Sequence, residues 1–138
     1  MTRFTTYTLA TVSALALAAP AMAQDFSFRF QSSDPAGNPN FELQQGWTEL
    51  VSEMTDGRVA IELLPVDSIV AHNETQDAIA AGILDGHITD VSYFAGRDPA
   101  FGLIANPVGA WSDPQQMFDF MADGGGAALM NELENPYG

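Results

Sequence analysis

The sequence predicts an α/β fold in which a parallel β-α-β-α-β core carries helices on the faces of its sheet. Three observations point there. Phe26-Ser27-Phe28-Arg29-Phe30 alternates apolar and polar residues with the period of a half-buried strand. Residues 59–64 and 87–94 repeat the strand signal, the second through Ile88, Val91 and Tyr93. Segments of helical period separate these runs, and strands alternating with helices pair in parallel through right-handed crossovers.

The chain opens with a short polar start, residues 1–8, carrying Arg3. An apolar stretch over 9–19 follows, then Pro20 and Ala21-Met22-Ala23, whose small first and third residues suit a signal-peptidase pocket. The apolar stretch is shorter than the roughly 20 residues that a membrane-spanning helix needs. Residues 1–23 are therefore expected to be a signal peptide cleaved after Ala23. Residues 24–138 are expected to work outside the cytoplasm, with no membrane insertion of their own.

After the first strand, Ser32 to Pro39 is a loop by its turn residues. Asn40 then caps a helix over 41–55, with Leu43, Trp47, Leu50, Val51 and Met54 on the face expected to be buried. Asp56-Gly57 stops it. The second strand ends at Pro65. Asn73 with Gln76 forms a capping pair for a helix over 74–84, and Asp85-Gly86 is its exit turn. The third strand covers 87–94. Asp113 caps a helix with Pro114 in its first turn, running to about Asp123 and broken by Gly124-Gly125-Gly126. A short helix over 127–133 follows.

Composition narrows the function. The chain has 18 acidic residues against four arginines and no lysine, a formal net charge of −14. Such a field repels nucleic acid and anionic lipid. With no cysteine, residues 24–138 rely on packing rather than disulfides. The chain has no G-x-S-x-G elbow, no cysteine nucleophile and no H-E-x-x-H pair. His72 and Glu74, two apart, point in different directions on a helix, and the glycine triplet follows no strand, so it is not a nucleotide loop. No enzyme chemistry is indicated.

Ligands of open parallel sheets sit outside the carboxyl ends of the strands. Those ends carry Ser33 and Asp34 on the first loop, with Ser92, Tyr93 and Phe94 at the third strand. Hydroxyls and rings in that arrangement suit a small polar solute. Ser33 and Asp34 fit plain turn chemistry as well, and Tyr93 and Phe94 fit core packing.

The chain also resembles a known family. Phe28-Arg29-Phe30, Glu53-Met54-Thr55-Asp56-Gly57-Arg58 before Val59-Ala60-Ile61, and Gln76-Asp77-Ala78-Ile79 through Gly82-Ile83-Leu84-Asp85-Gly86-His87 carry the likeness. Ser92-Tyr93-Phe94, Asp98-Pro99-Ala100-Phe101, Gly124-Gly125-Gly126 and Pro136-Tyr137-Gly138 extend it. Together they are similar to the amino-terminal part of periplasmic solute-binding proteins of tripartite ATP-independent (TRAP) transporters, nearest the branch for 2-oxo acids and related monocarboxylates. The resemblance implies the first lobe of a two-lobed fold that closes on a small organic acid and delivers it to membrane subunits. It implies ligand contacts from the loop at Ser33, from the start of the second helix at Glu74, and from Tyr93. The arginine that pairs with the solute carboxylate, and most groups for an accompanying metal ion, are expected downstream of Gly138; no cofactor is expected on this chain. Two alternatives stay open: a non-binding piece of such a receptor, marked by exposed apolar surface, and a secreted α/β enzyme.

Overall fold

Residues 24–137 are described by the computed structural model, so the expected signal peptide lies outside the described residues. Three strands, β1 (Phe26–Ser32), β2 (Val59–Leu64) and β3 (Gly86–Ile88), form one parallel sheet of order β2-β1-β3. The register sets Phe26 against Val59 and Phe30 against Gly86. Because β1 is central, the chain crosses to β2 on one side and to β3 on the other, and the strand order switches between β1 and β3.

Helix α1 (Pro39–Met54) makes the first crossover on the face that carries Phe30 and Ser32; the Phe30 and Trp47 rings lie 6.3 Å apart. Its cap is Asn38, two residues earlier than expected, whose side chain accepts a hydrogen bond from the Asn40 amide at 2.8 Å. Asp56 and Gly57 both take positive φ and end it, as the sequence indicated.

The face that α1 turns inward differs from expectation. Phe41 is buried and Gln44, Thr48 and Val51 are half-buried, whereas Leu43 is 75% and Met54 76% exposed, with Trp47 and Leu50 exposed as well. The reason lies at the end of β1. Buried Ser32 there needs a hydrogen-bonding partner, and Gln44 supplies it.

The second crossover runs through a 3-10 turn at His72–Glu74 into helix α2 (Thr75–Ala80), shorter than the expected 74–84. Gly82 at φ 70° ends it, with the Ile83 amide donating to the Ala78 carbonyl at 2.8 Å. Asp85-Gly86 is not an exit turn: the Asp85 amide donates to Arg29, and Gly86 already lies in β3.

Strand β3 is also shorter than the expected 87–94. Asp90 accepts a hydrogen bond from the Ser92 amide at 2.8 Å and turns Val91–Phe94 into a 3-10 segment. A side chain that captures a nearby amide in this way competes with the sheet ladder.

Helix α3 (Pro99–Ala105) was not expected, although Asp98-Pro99 carries the same cap-and-proline signal as Asp113-Pro114. Asp113 does cap α4 (Pro114–Ala122), as expected. Gly125 at φ 91° then separates it from α5 (Gly126–Glu134). The core is small. It is built from Phe41, Ala78, Leu84, Phe94 and Phe101, with Phe94 stacked on His87 at 5.6 Å and edge-on to Phe101 at 5.9 Å.

Candidate functional site

An open cleft of about 670 Å³ lies at the carboxyl ends of β1 and β3, where the strand order switches. That is the position at which open parallel sheets bind ligands. Ser33, Asp34, Asn40, Gln44, Thr89, Asp90 and Tyr93 form a polar wall. Leu43, Ile88, Val91, Ile104, Ala105, Met117, Met121 and Met130 supply the apolar part of the lining.

The polar wall is built from the end of β1 upward. Fully buried Ser32 donates its hydroxyl proton to Gln44 Oε1 at 2.6 Å, and Ser32 Oγ accepts from the Asp34 amide at 2.9 Å. Gln44 Nε2 in turn donates to Asp34 Oδ2 at 2.8 Å. This closed set of bonds fixes Asp34 at the cleft edge, and the Ser33 amide ties that loop to the Ile88 carbonyl at 2.9 Å.

On the other side stands Asp90. The Ser92 hydroxyl and amide, with help from Asn106, hold its carboxyl below the usual carboxylate range, so it is ionised at neutral pH. Tyr93 is exposed, and its ring sits edge-on to His72 at 4.9 Å.

Three of the residues singled out from the sequence therefore line one cleft: Ser33, Asp34 and Tyr93. The other three do not. Ser92 stands behind Asp90 and bonds its carboxylate. Phe94 is 1% exposed and belongs to the core, because the 3-10 turn rotates it toward Phe101. Glu74 lines a separate shallow depression with Val70, Asp77 and Ile83 at α2. The loop after β2 does not line the cleft and is anchored by Gln31. Its Nε2 donates to Val70 O at 2.8 Å, and its Oε1 accepts from the Ile69 and Val70 amides.

Sequence reasoning missed Asn40, Gln44, Thr89 and Asp90, along with the three methionines. The polar spacing of Asn40 and Gln44, four apart on one helix, was a usable signal. Among the described residues, no group of three His, Cys, Asp or Glu side chains is placed to hold a metal ion. No helix among them is long and apolar enough to cross a membrane.

Residues 30–137 match the bacterial extracellular solute-binding protein family 7. The chain belongs to that family. A TRAP periplasmic solute-binding protein of Rhodobacter sphaeroides, solved in an apo open form, is 71% identical with a TM-score of 0.79, over 81% of this chain and 36% of its own. Another, from Pseudoalteromonas atlantica T6c and solved with bound sodium and pyruvate, is 23% identical with a TM-score of 0.68, over 82% of this chain and 34% of its own. At that identity the likeness speaks for the fold alone.

The monocarboxylate 2-oxoacid-binding periplasmic protein of Nostoc sp. is 27% identical over 106 residues, 77% of this chain and 29% of the relative. This chain thus spans about a third of the length of the proteins it matches. The α/β architecture expected from the sequence is that of the corresponding part of solved TRAP solute-binding proteins, as the resemblance implied.

Proposed function

We propose that this chain forms the first lobe of a periplasmic receptor that binds a small organic acid and passes it to the membrane subunits of a TRAP transporter. The observation that carries the reading is the cleft itself. It sits at the switch between β1 and β3, and its lining combines hydrogen-bonding side chains with apolar ones. Ser33, Asp34 and Tyr93 contact the solute, with Asn40, Gln44 and Asp90 beside them. Ser92 acts through Asp90, and Phe94 supports the turn from the core.

Closure of a second lobe over this cleft would desolvate the solute and report occupancy to the transporter. No covalent step is involved. The name of the Nostoc relative supports the organic-acid class; pyruvate is bound in the Pseudoalteromonas protein, whose likeness is one of fold. The latter also holds sodium, but the residues described here do not by themselves form a metal site, and no step is routed through one.

Thermal shift of the native full-length gene product against a panel of small organic acids tests this. A ligand at a hundredfold its Kd stabilises by about 2.7 kcal/mol and raises the midpoint. A panel without a single shift would overturn the reading. Export is tested separately, by amino-terminal sequencing of the mature protein, which should begin at Gln24.

One observation favours a second reading, in which residues 24–138 alone do not bind. The apolar stripe of α1 and the rings of Phe26 and Phe28 are exposed. The same panel applied to that segment, with no shift where the full-length product responds, would establish it.

A further inference from the structure

We propose that His72 is a positioning residue for the solute cleft, acting from outside the lining to fix the ring of Tyr93 within it. The inference rests on the reading of this cleft as an organic-acid site and deepens it. His72 is not among the residues that line the cleft. Its ring nevertheless meets that of Tyr93 edge-to-face, with centroids 4.9 Å apart and planes at 72°.

The turn that carries Tyr93 fixes its backbone but not its side chain. The Tyr93 amide donates to the Asp90 carbonyl at 3.2 Å. Its neighbours in the 3-10 segment are committed elsewhere, Ser92 to the Asp90 carboxylate and Phe94 to the core. The Tyr93 side chain itself is left half exposed. A ring in that situation still turns about its own side-chain bonds, and selecting one rotamer at the moment of binding lowers affinity. An edge-to-face partner favours one orientation before the solute arrives. Among the described residues, His72 is that partner.

His72 is in turn held from both directions along the chain. Upstream, buried Gln31 accepts from the Ile69 and Val70 amides and donates to the Val70 carbonyl. Asp67 takes a left-handed φ of 58°, a conformation that costs a residue other than glycine some energy. From there its Oδ1 accepts from the His72 amide at 2.9 Å and lies 3.8 Å from the imidazole Nδ1. Downstream, the Thr75 hydroxyl lies 3.0 Å from the His72 carbonyl. The loop after β2 thus acts on the cleft without lining it: Gln31 and Asp67 set His72, and His72 sets Tyr93.

The test is titration calorimetry on the native full-length gene product with pyruvate and the other small organic acids of the panel, then with the best-bound acid on His72 variants. His72→Ala and His72→Gln remove the ring, and each should weaken binding about threefold to tenfold, the worth of an aromatic pair. His72→Phe keeps an aromatic edge and should bind within about twofold of the unaltered protein. Rescue by phenylalanine but not by glutamine assigns the effect to the ring contact, an order that a general loss of stability would not follow. Unchanged affinity in His72→Ala would overturn the proposal while the organic-acid reading stands. So would a loss in His72→Phe as large as in His72→Ala, or a recovery by glutamine as full as by phenylalanine. Binding of none of the acids by the unaltered protein would overturn that reading, and this proposal with it.

Discussion

Gln31 shows how a single polar side chain shapes this lobe. It is fully buried in β1, and its amide satisfies three backbone groups of the loop after β2. Leucine at that position would leave all three without partners, at about 1–3 kcal/mol for each orphaned group. Chemical denaturation of Gln31→Leu should therefore show a loss of at least about 2 kcal/mol. Gly86 is constrained for a different reason, since a Cβ there would lie 2.6 Å from the Phe30 ring. Gly86→Ala should cost about 1–3 kcal/mol by overpacking, read from the same unfolding curves.

His87 carries a pH dependence. Burial holds its pKa below the ordinary 6.5. The Thr75 hydroxyl lies 2.7 Å from His87 Nδ1 and 3.0 Å from the His72 carbonyl. As pH falls through 6.5, the unfolded chain takes up a proton that the folded one resists. Stability is thus full above about 6.5 and declines below it, down to the depressed folded value. Thermal midpoints measured from pH 7.5 to 5.5 should fall, and His87→Gln should flatten that fall.

At the scale of elements, α1 repays attention to which face is buried. Its periodicity was legible and its bounds were nearly so. Its orientation was not, because an amphipathic pattern names an apolar face without naming what that face meets. In residues 24–138, Leu43→Gln and Leu50→Gln should each change stability by no more than about 0.5 kcal/mol, as exposed positions do. Phe41→Ala should cost about 3 kcal/mol or more. A large effect at Leu43 would contradict the packing described.

The caps were more readable. Asp113-Pro114 announced α4, and the same signal at Asp98-Pro99 marks α3. Asp98 accepts from the Ala100 amide at 2.8 Å, so Asp98→Ala should cost about 1 kcal/mol in the same assay. Strand β3 was overread for a physical reason, since Ile88, Val91 and Tyr93 have strand propensity but Asp90 takes the amide that would continue the ladder.

At the scale of the whole molecule, the exposed stripe of α1, the rings of Phe26 and Phe28, and the narrow core together leave a large apolar surface uncovered in residues 24–138. That segment alone should bind a hydrophobic dye strongly and self-associate. A monomer that ignores the dye would show the surface to be covered in a way this fold does not explain.

The sequence by itself determined the α/β order, the helix stops at Asp56-Gly57 and at the glycine triplet, and the cap at Asp113, though not the expected Asn73 and Gln76 capping pair, because α2 starts after Glu74 without a side-chain cap; these depend on neighbours within a few residues and on apolar period. It also placed Ser33, Asp34 and Tyr93 near a strand end. Only the tertiary structure decided that Gln44 and Asp90 join them, that Phe94 turns into the core, and that Glu74 lies apart. Those outcomes depend on which strand is central and on where buried hydrogen bonds find partners, and both are settled by contacts between residues distant in the chain.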